Sequence, residues 1–283
     1  MRHITALVSL VVFVAGGGRA FGQSLPTSQP NFVQIFIEDV KVGHEDDHSK
    51  FEAGWPAAFE KAKSPYFNIG LASVTGPLQA WFLVAFDSNQ ALGDSLKRNS
   101  DDPVLAAELS RLSRGDATHI TAARTLLGAA RKDLSRGAFP DLGRQRFFEI
   151  TIFRVRPGHE ADFTAAGKAY GAAAGRSAPN TAYRVYEIVA GMASPTYLVV
   201  SSVATFAQFD TTTREGEAIM KGATAQEQAA LQKFSAEALL SSETQRFRLD
   251  PNMSYVPKDV RAQDSAFWTP KKPTATKTTT PQP

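Results

Sequence analysis

The sequence predicts an α+β fold in which two tandem βαββαβ units lay their antiparallel sheets against each other within one chain. Three observations carry this. The 283-residue chain matches itself without a gap when Phe32–Phe86 is laid on Phe147–Ser201. Each half then reads as the same series of strand-like and helix-like patterns. The first strand of each half also has one uniformly apolar face and one half-polar face, which asks for two different neighbours.

The first strands are "FVQIFIEDV" and "FFEITIFRV", rich in β-branched and aromatic residues. Val33, Ile35 and Ile37 match Phe148, Ile150 and Ile152, and this apolar face is expected to carry the helices. Gln34, Phe36 and Glu38 match Glu149, Thr151 and Phe153, and this mixed face is expected to meet the other sheet. Next comes a repeated word, "VKVGHEDDH" at Val40–His48 and "VRPGHEADF" at Val155–Phe163. Its glycine turns the chain out of the strand, and its acids suit the first turn of a helix, where the macrodipole favours negative charge.

In the helix that follows, Phe51, Trp55, Phe59 and Ala62 form one stripe, matched by Ala166, Tyr170 and Ala174. Pro56 is expected to kink or break the first copy. Second strands ("YFNIGLASV", "AYRVYEIV"), turns at Gly76 and Gly191, and third strands ("WFLVAF", "TYLVVS") complete the common part. A second helical region closes each half. In the first half Ile120, Ala123, Leu127, Ala130 and Leu134 have helical spacing after Asp116, preceded by a short helix from Pro103 to Arg114 capped by Asp102. In the second half Thr224 and Glu227 form a capping box ahead of Leu231, Phe234 and Ala238. Fourth strands are expected near Leu134–Ala138 and Gln245–Leu249. A βαββαβ unit covers one sheet face with helices, so the other copy is the natural cover for the remaining face.

The resulting division is a leader at 1–22, a polar segment at 23–30, repeats at 31–140 and 145–256, and an arm and tail at 257–283. The leader has Arg2, an apolar run from Ile4 to Ala15 and small residues up to Gly22, the build of a cleaved secretory signal peptide. Export, to a periplasm or beyond the cell, is therefore expected, with no membrane span after cleavage. The tail ends in Pro, Thr and Lys and is expected to be extended and then disordered, with Phe267 and Trp268 docking on the body.

Cysteine is absent, which excludes disulfides, thiolate metal sites and a cysteine nucleophile. The net charge of +3 misleads about partners. Arg2 and Arg19 give the leader +2, and five basic against two acidic residues give the tail +3, leaving the body at about −2. Nucleic-acid binding is not expected of such a body.

"FFEITIFRVRPGHEADF" resembles the first strand and helix start of the dimeric α/β-barrel proteins, especially their NIPSNAP-like branch. The resemblance implies two ferredoxin-like units closing their sheets into one intrachain α/β barrel, a pseudo-dimer, over roughly 32–249. The first copy departs from the pattern, with Val42 in place of the proline and His48 in place of Phe163. Some proteins of this fold bind haem through a histidine of the second unit. Here that unit has only His159, at a helix start, so haem is not expected.

His44-Glu45-Asp46-Asp47-His48 matches His-Glu-x-x-His literally. The match lies at a strand-to-helix junction with Pro56 close behind, and the duplicate lacks the second histidine, so the word reads as a fold signature and no metal is expected. His119 is placed beside Arg124 on the solvated side of a helix.

The mixed strand face supplies the candidate pocket: Gln34, Glu38 and Glu149, with Arg184 and Tyr186 from the second strand, pointing into the barrel. Two functions follow. One is a non-catalytic module that holds a small apolar or amphipathic molecule, or a protein partner, in the barrel or in a groove under the helices. The other is a cofactor-independent monooxygenase-type enzyme with a buried carboxylate as base.

Overall fold

The computed structural model describes residues 24–269. The leader at 1–22 and the tail beyond Thr269 lie outside the described residues. The strands are β1 (Phe32–Val40), β2 (Asn68–Ser73), β3 (Gln79–Phe86), β4 (Ile120–Ala130), β5 (Phe147–Val155), β6 (Arg184–Ala190), β7 (Thr196–Val203) and β8 (Leu239–Leu249). They close into one antiparallel barrel in the order β1-β3-β2-β8-β5-β7-β6-β4. Two seams join the first four strands to the last four, β2 with β8 and β4 with β6.

The helices wrap the outside. In the first half these are α1 (Glu45–Glu52), α2 (Gly54–Lys61), α3 (Asn89–Asp101) and α4 (Pro103–Asp116). In the second they are α5 (Glu160–Ser177), α6 (Gln208–Gly222) and α7 (Ala225–Lys233), the last running into a π-turn at Phe234–Ala238. The repeated word is architecture in both places. Gly43 and Gly158 have φ of +83° and +90°, and His44 and His159 follow as helix N-caps. Pro56 falls in the first turn of α2, and the helix is broken at Ala53 where its counterpart α5 runs on for 18 residues.

The two strand faces are reversed from expectation. Val33, Ile35, Ile37, Phe148 and Ile150 fill the barrel interior with Leu71, Trp81, Leu126, Leu198 and Phe247. The mixed face looks outward, under the helices. An eight-stranded barrel is just wide enough for side chains to fill it, and nothing inside can hydrate a polar group, so the uniformly apolar face belongs there. The helix layer has open margins and polar partners of its own, and it tolerates the mixed face.

Residues 120–130 are strand, not helix. The barrel needs β4 to bridge β1 and β6, and pairing on both sides overrides the weak helical spacing of "ITAARTLLGAA". Leu134–Ala138 is consequently a turn with one bridge, Arg136 to Tyr183, rather than a fourth strand. α3 and α6 are additional to the sequence reading. α4 begins as expected, with Asp102 accepting from the N–H groups of Val104 and Leu105 at 3.0 Å.

The arm after the barrel forms two short helices, α8 (Lys258–Gln263) and α9 (Ser265–Trp268), rather than an extended strap. Trp268 is buried and its indole N–H donates to Gly143 O at 3.1 Å. With Leu25 from the polar segment it plugs one end of the barrel core.

Candidate functional site

The five residues expected to share a pocket do not converge. Gln34 and Glu38 border a cavity of about 170 Å³ under α1–α3. Glu149 borders a cavity of about 840 Å³ under α5–α7. Arg184 and Tyr186 border a cavity of about 120 Å³ at the plugged barrel end. The division follows from the reversed faces: Gln34, Glu38 and Glu149 project outward, whereas Tyr186 belongs to the interior cluster.

Arg184 and Tyr186 are structural. The Arg184 guanidinium donates to the carbonyls of Arg136, Tyr183, Gly137 and Ala138, fastening the turn after β4. Burial drives the Tyr186 phenol far above its ordinary range, so it is a neutral filler of the core.

The 840 Å³ cavity is built by the outward face of β5–β7 and the inward faces of α5–α7. Phe153, Phe163, Tyr170, Val199, Leu231 and Phe234 give it an apolar wall. Phe163 stacks on Tyr197 at 3.8 Å and meets Phe234 edge-on, which fixes one side of that wall. The polar groups stand around it. Glu149 is held by Arg246 Nε at 2.8 Å, and Glu215 accepts from the Thr181 hydroxyl at 2.8 Å. Tyr170 is pushed up by burial first and by the Glu215 and Glu149 charges second, so it offers a phenol rather than a phenolate. An apolar wall with fixed polar groups at its border is what a site for an amphipathic small molecule requires, and the volume falls within the usual range of about 300–1,000 Å³.

The first half has a different site. The buried residues of α1 are His48 and Glu52, while Phe51 is only partly buried. Both face β1, where Glu38 projects, and Asp116 arrives from the last turn of α4. One ligating atom from each of these four residues lies within 4.8 Å of all the others. Asp116 Oδ1 is 2.9 Å from His48 Nδ1, and Glu38 Oε2 is 3.8 Å from His48 Nε2. Among the described residues none of the three carboxylates has a lysine or arginine partner: the Glu38 and Asp116 ion pairs are to His48 alone. Burial, more than the neighbouring charges, pushes Glu38 up to about 7 and raises Glu52 well above the usual carboxylate range.

This cluster is what the sequence reading missed. The His-Glu-x-x-His match drew attention to His44 with His48, but the two point apart. His44 Nδ1 lies 3.0 Å from His119 Nδ1, and His119 stands just before β4 under Phe51 rather than on a helix. His48 instead shares the buried face of α1 with Glu52, one helical turn on. His159 is held locally by Asp162 at 2.8 Å.

No protein-family model matches the chain, and no curated protein matches it in sequence. Solved structures do. A candidate monooxygenase from Fusobacterium nucleatum subsp. nucleatum superposes with a TM-score of 0.53 at 5% identity, covering 78% of this chain and 93% of that one. A candidate monooxygenase from Lactobacillus acidophilus NCFM gives 0.50 at 7% identity, covering 81% and 97%. A chlorite dismutase variant from Candidatus Nitrospira defluvii gives 0.48 at 12% identity, covering 80% and 93%. At such identities the likeness to the two candidate monooxygenases shows the fold, a closed antiparallel barrel with helices outside, and nothing further.

Proposed function

We propose that this chain is an exported α/β-barrel protein that binds one small apolar or amphipathic molecule in the cavity under α5–α7. The carrying observation is the 840 Å³ space, whose aromatic and aliphatic wall is bordered by polar residues such as Thr151, Asn180, Gln208 and Glu215. Its best-placed carboxylate, Glu149, is already paired with Arg246. The other carboxylate on the wall, Glu215, accepts from the Thr181 hydroxyl, and among the described residues no histidine, lysine or arginine lines the space, which favours binding over catalysis. Among the described residues no helix is long and apolar enough to cross a membrane.

Within the same reading, the barrel arose by tandem duplication of a ferredoxin-like unit, in the NIPSNAP-like branch. Shared details at matching places support it: β1 and β5 have nine residues each, both are followed by a positive-φ glycine and a histidine N-cap, and Gly76 and Gly191 turn at φ +81° and +91°.

Titration of the chain without its leader with 1-anilinonaphthalene-8-sulfonate tests the binding claim. Saturable fluorescence at one site supports it, and Val199→Trp, which fills the cavity from β7, is expected to weaken that binding at least about tenfold. Equal binding by the folded variant counts against it.

A cofactor-independent monooxygenase-type enzyme is the second reading, favoured by one observation. Glu38 is a carboxylate lining a cavity with Trp55, Phe59 and Phe82, and a base among aromatic rings suits proton abstraction from an activated aromatic. Two of the structural neighbours are candidate monooxygenases. That cavity, at about 170 Å³, is below the range that holds such a substrate, which places this reading second. Dioxygen uptake with an activated phenol, abolished by Glu38→Gln, would reverse the order.

A further inference from the structure

Buried carboxylates without a cationic partner are among the most unfavourable arrangements a fold can hold. Glu52 and Asp116 are two buried carboxylates, and Glu38 a half-buried third, around one imidazole, and among the described residues none has a lysine or arginine partner. His48, Glu52 and Asp116 are each more than nine-tenths buried. Three of their polar atoms have no hydrogen-bond partner: Glu38 Oε2, His48 Nε2 and Asp116 Oδ2.

The spacing distinguishes two ways of neutralising the cluster. Shared protons would draw donor and acceptor to about 2.5–3.0 Å and leave no orphaned acceptors. The orphaned Glu38 Oε2 and His48 Nε2 are instead 3.8 Å apart. Ligands about 2.0–2.2 Å from a common ion stand roughly 3–4 Å from one another, so this separation suits an ion between them. Bringing the outer limit of 4.8 Å across the four groups into that range asks for a closure of about 1–2 Å.

The donor chemistry agrees. Asp116 Oδ1 can accept from His48 Nδ1–H, which fixes the tautomer and leaves the Nε2 lone pair pointing at Glu38. A carboxylate that orients a ligating imidazole in this way is the common outer-shell arrangement of protein metal sites. Asp116 is also the last residue of α4, where the free carbonyls add partial negative charge that favours a cation. One imidazole with carboxylates suits Mn²⁺, Fe²⁺ or Zn²⁺. It is too nitrogen-rich for a dedicated Ca²⁺ site and lacks the sulfur that Cu⁺ prefers.

We propose that Glu38, His48 and Glu52, with Asp116 orienting His48, form a binding site for one divalent transition-metal ion in the first half of the barrel. The site is separate from the cavity under α5–α7 and stands or falls independently of it.

The test uses untagged chain without its leader, stripped with a chelator and then loaded with Mn²⁺, Fe²⁺ (without oxygen) or Zn²⁺ singly. After desalting, metal content by mass spectrometry is expected to reach about one equivalent per chain for at least one ion, with a rise in Tm. His48→Gln and Glu52→Gln are expected to weaken that binding at least about tenfold, and His159→Gln to leave it unchanged. Should the first two variants fail to fold, pulsed electron paramagnetic resonance of the Mn²⁺-loaded wild type decides. Coupling to one imidazole nitrogen supports the site. Folded wild type that retains none of the three ions, a bound ion without imidazole coupling, or folded His48→Gln that binds as wild type would each overturn it.

Discussion

His48 Nδ1 and Asp116 Oδ1 are 2.9 Å apart, although 68 positions separate the two residues in the chain. The contact ties α1 to the end of α4 beneath the helix layer, and it turns a histidine and an acid into the space where Glu38 and Glu52 also point. α1, in which Phe51 is the one apolar residue, thus buries a histidine and a glutamate. Local choices that contradict the rest of a fold in this way mark functional places.

The reversal of the strand faces gives a stability prediction. Ile35 is buried in the barrel interior, and Ile35→Ala is expected to cost about 2–5 kcal/mol. Its neighbour Phe36 is 38% exposed on the helix side, and Phe36→Ser should cost less than about 1 kcal/mol. Denaturant midpoints of the two variants check this. A larger loss for Phe36→Ser would mean that the faces are assigned wrongly.

The α4 cap gives a second. Asp102 satisfies two orphan N–H groups at the helix start, so Asp102→Ala is expected to lower stability by about 0.5–2 kcal/mol. Asp102→Asn should restore most of it. Thermal unfolding of both variants is the measurement.

Acid sensitivity has a specific source in the second half. Hydrogen bonds from Arg176 first, and from the Thr224 backbone second, hold the Glu227 carboxyl down at about 2 from an ordinary 4.5. A depressed carboxyl stabilises the fold fully above its unfolded value and ceases to do so as pH falls through its folded value. The stability difference between wild type and Glu227→Gln should therefore be constant above about pH 4.5 and shrink between about 4.5 and 2. Urea titrations across that window check it. A difference that persists to pH 2 would show that the carboxylate's charge is not what matters.

Much of the fold was legible because its signals are local. The positive-φ glycines at 43, 76, 158 and 191, the Asp102-Pro103 helix start and the Thr224–Glu227 capping box are each set by a few adjacent residues. β4 was not legible, since Ile120–Ala130 is strand only because β1 and β6 pair with it. The strand faces were visible as two kinds, yet which one lies inside depends on closure, a property of all eight strands. The cluster of Glu38, His48, Glu52 and Asp116 escaped for a similar reason. Only the His48–Glu52 spacing of one helical turn hinted at it: Glu38 joins from the outward face of β1, whose orientation depends on barrel closure, and Asp116 from the end of α4.

Native mass spectrometry of the chain purified from its own host tests the central claim most directly. Wild type is expected to carry one small apolar or amphipathic molecule, released on unfolding, and folded Val199→Trp is expected to arrive without it. A wild type with no bound molecule and no uptake of added amphiphile, or a variant that retains the same mass as wild type, would contradict the assignment of the cavity under α5–α7 as the binding site.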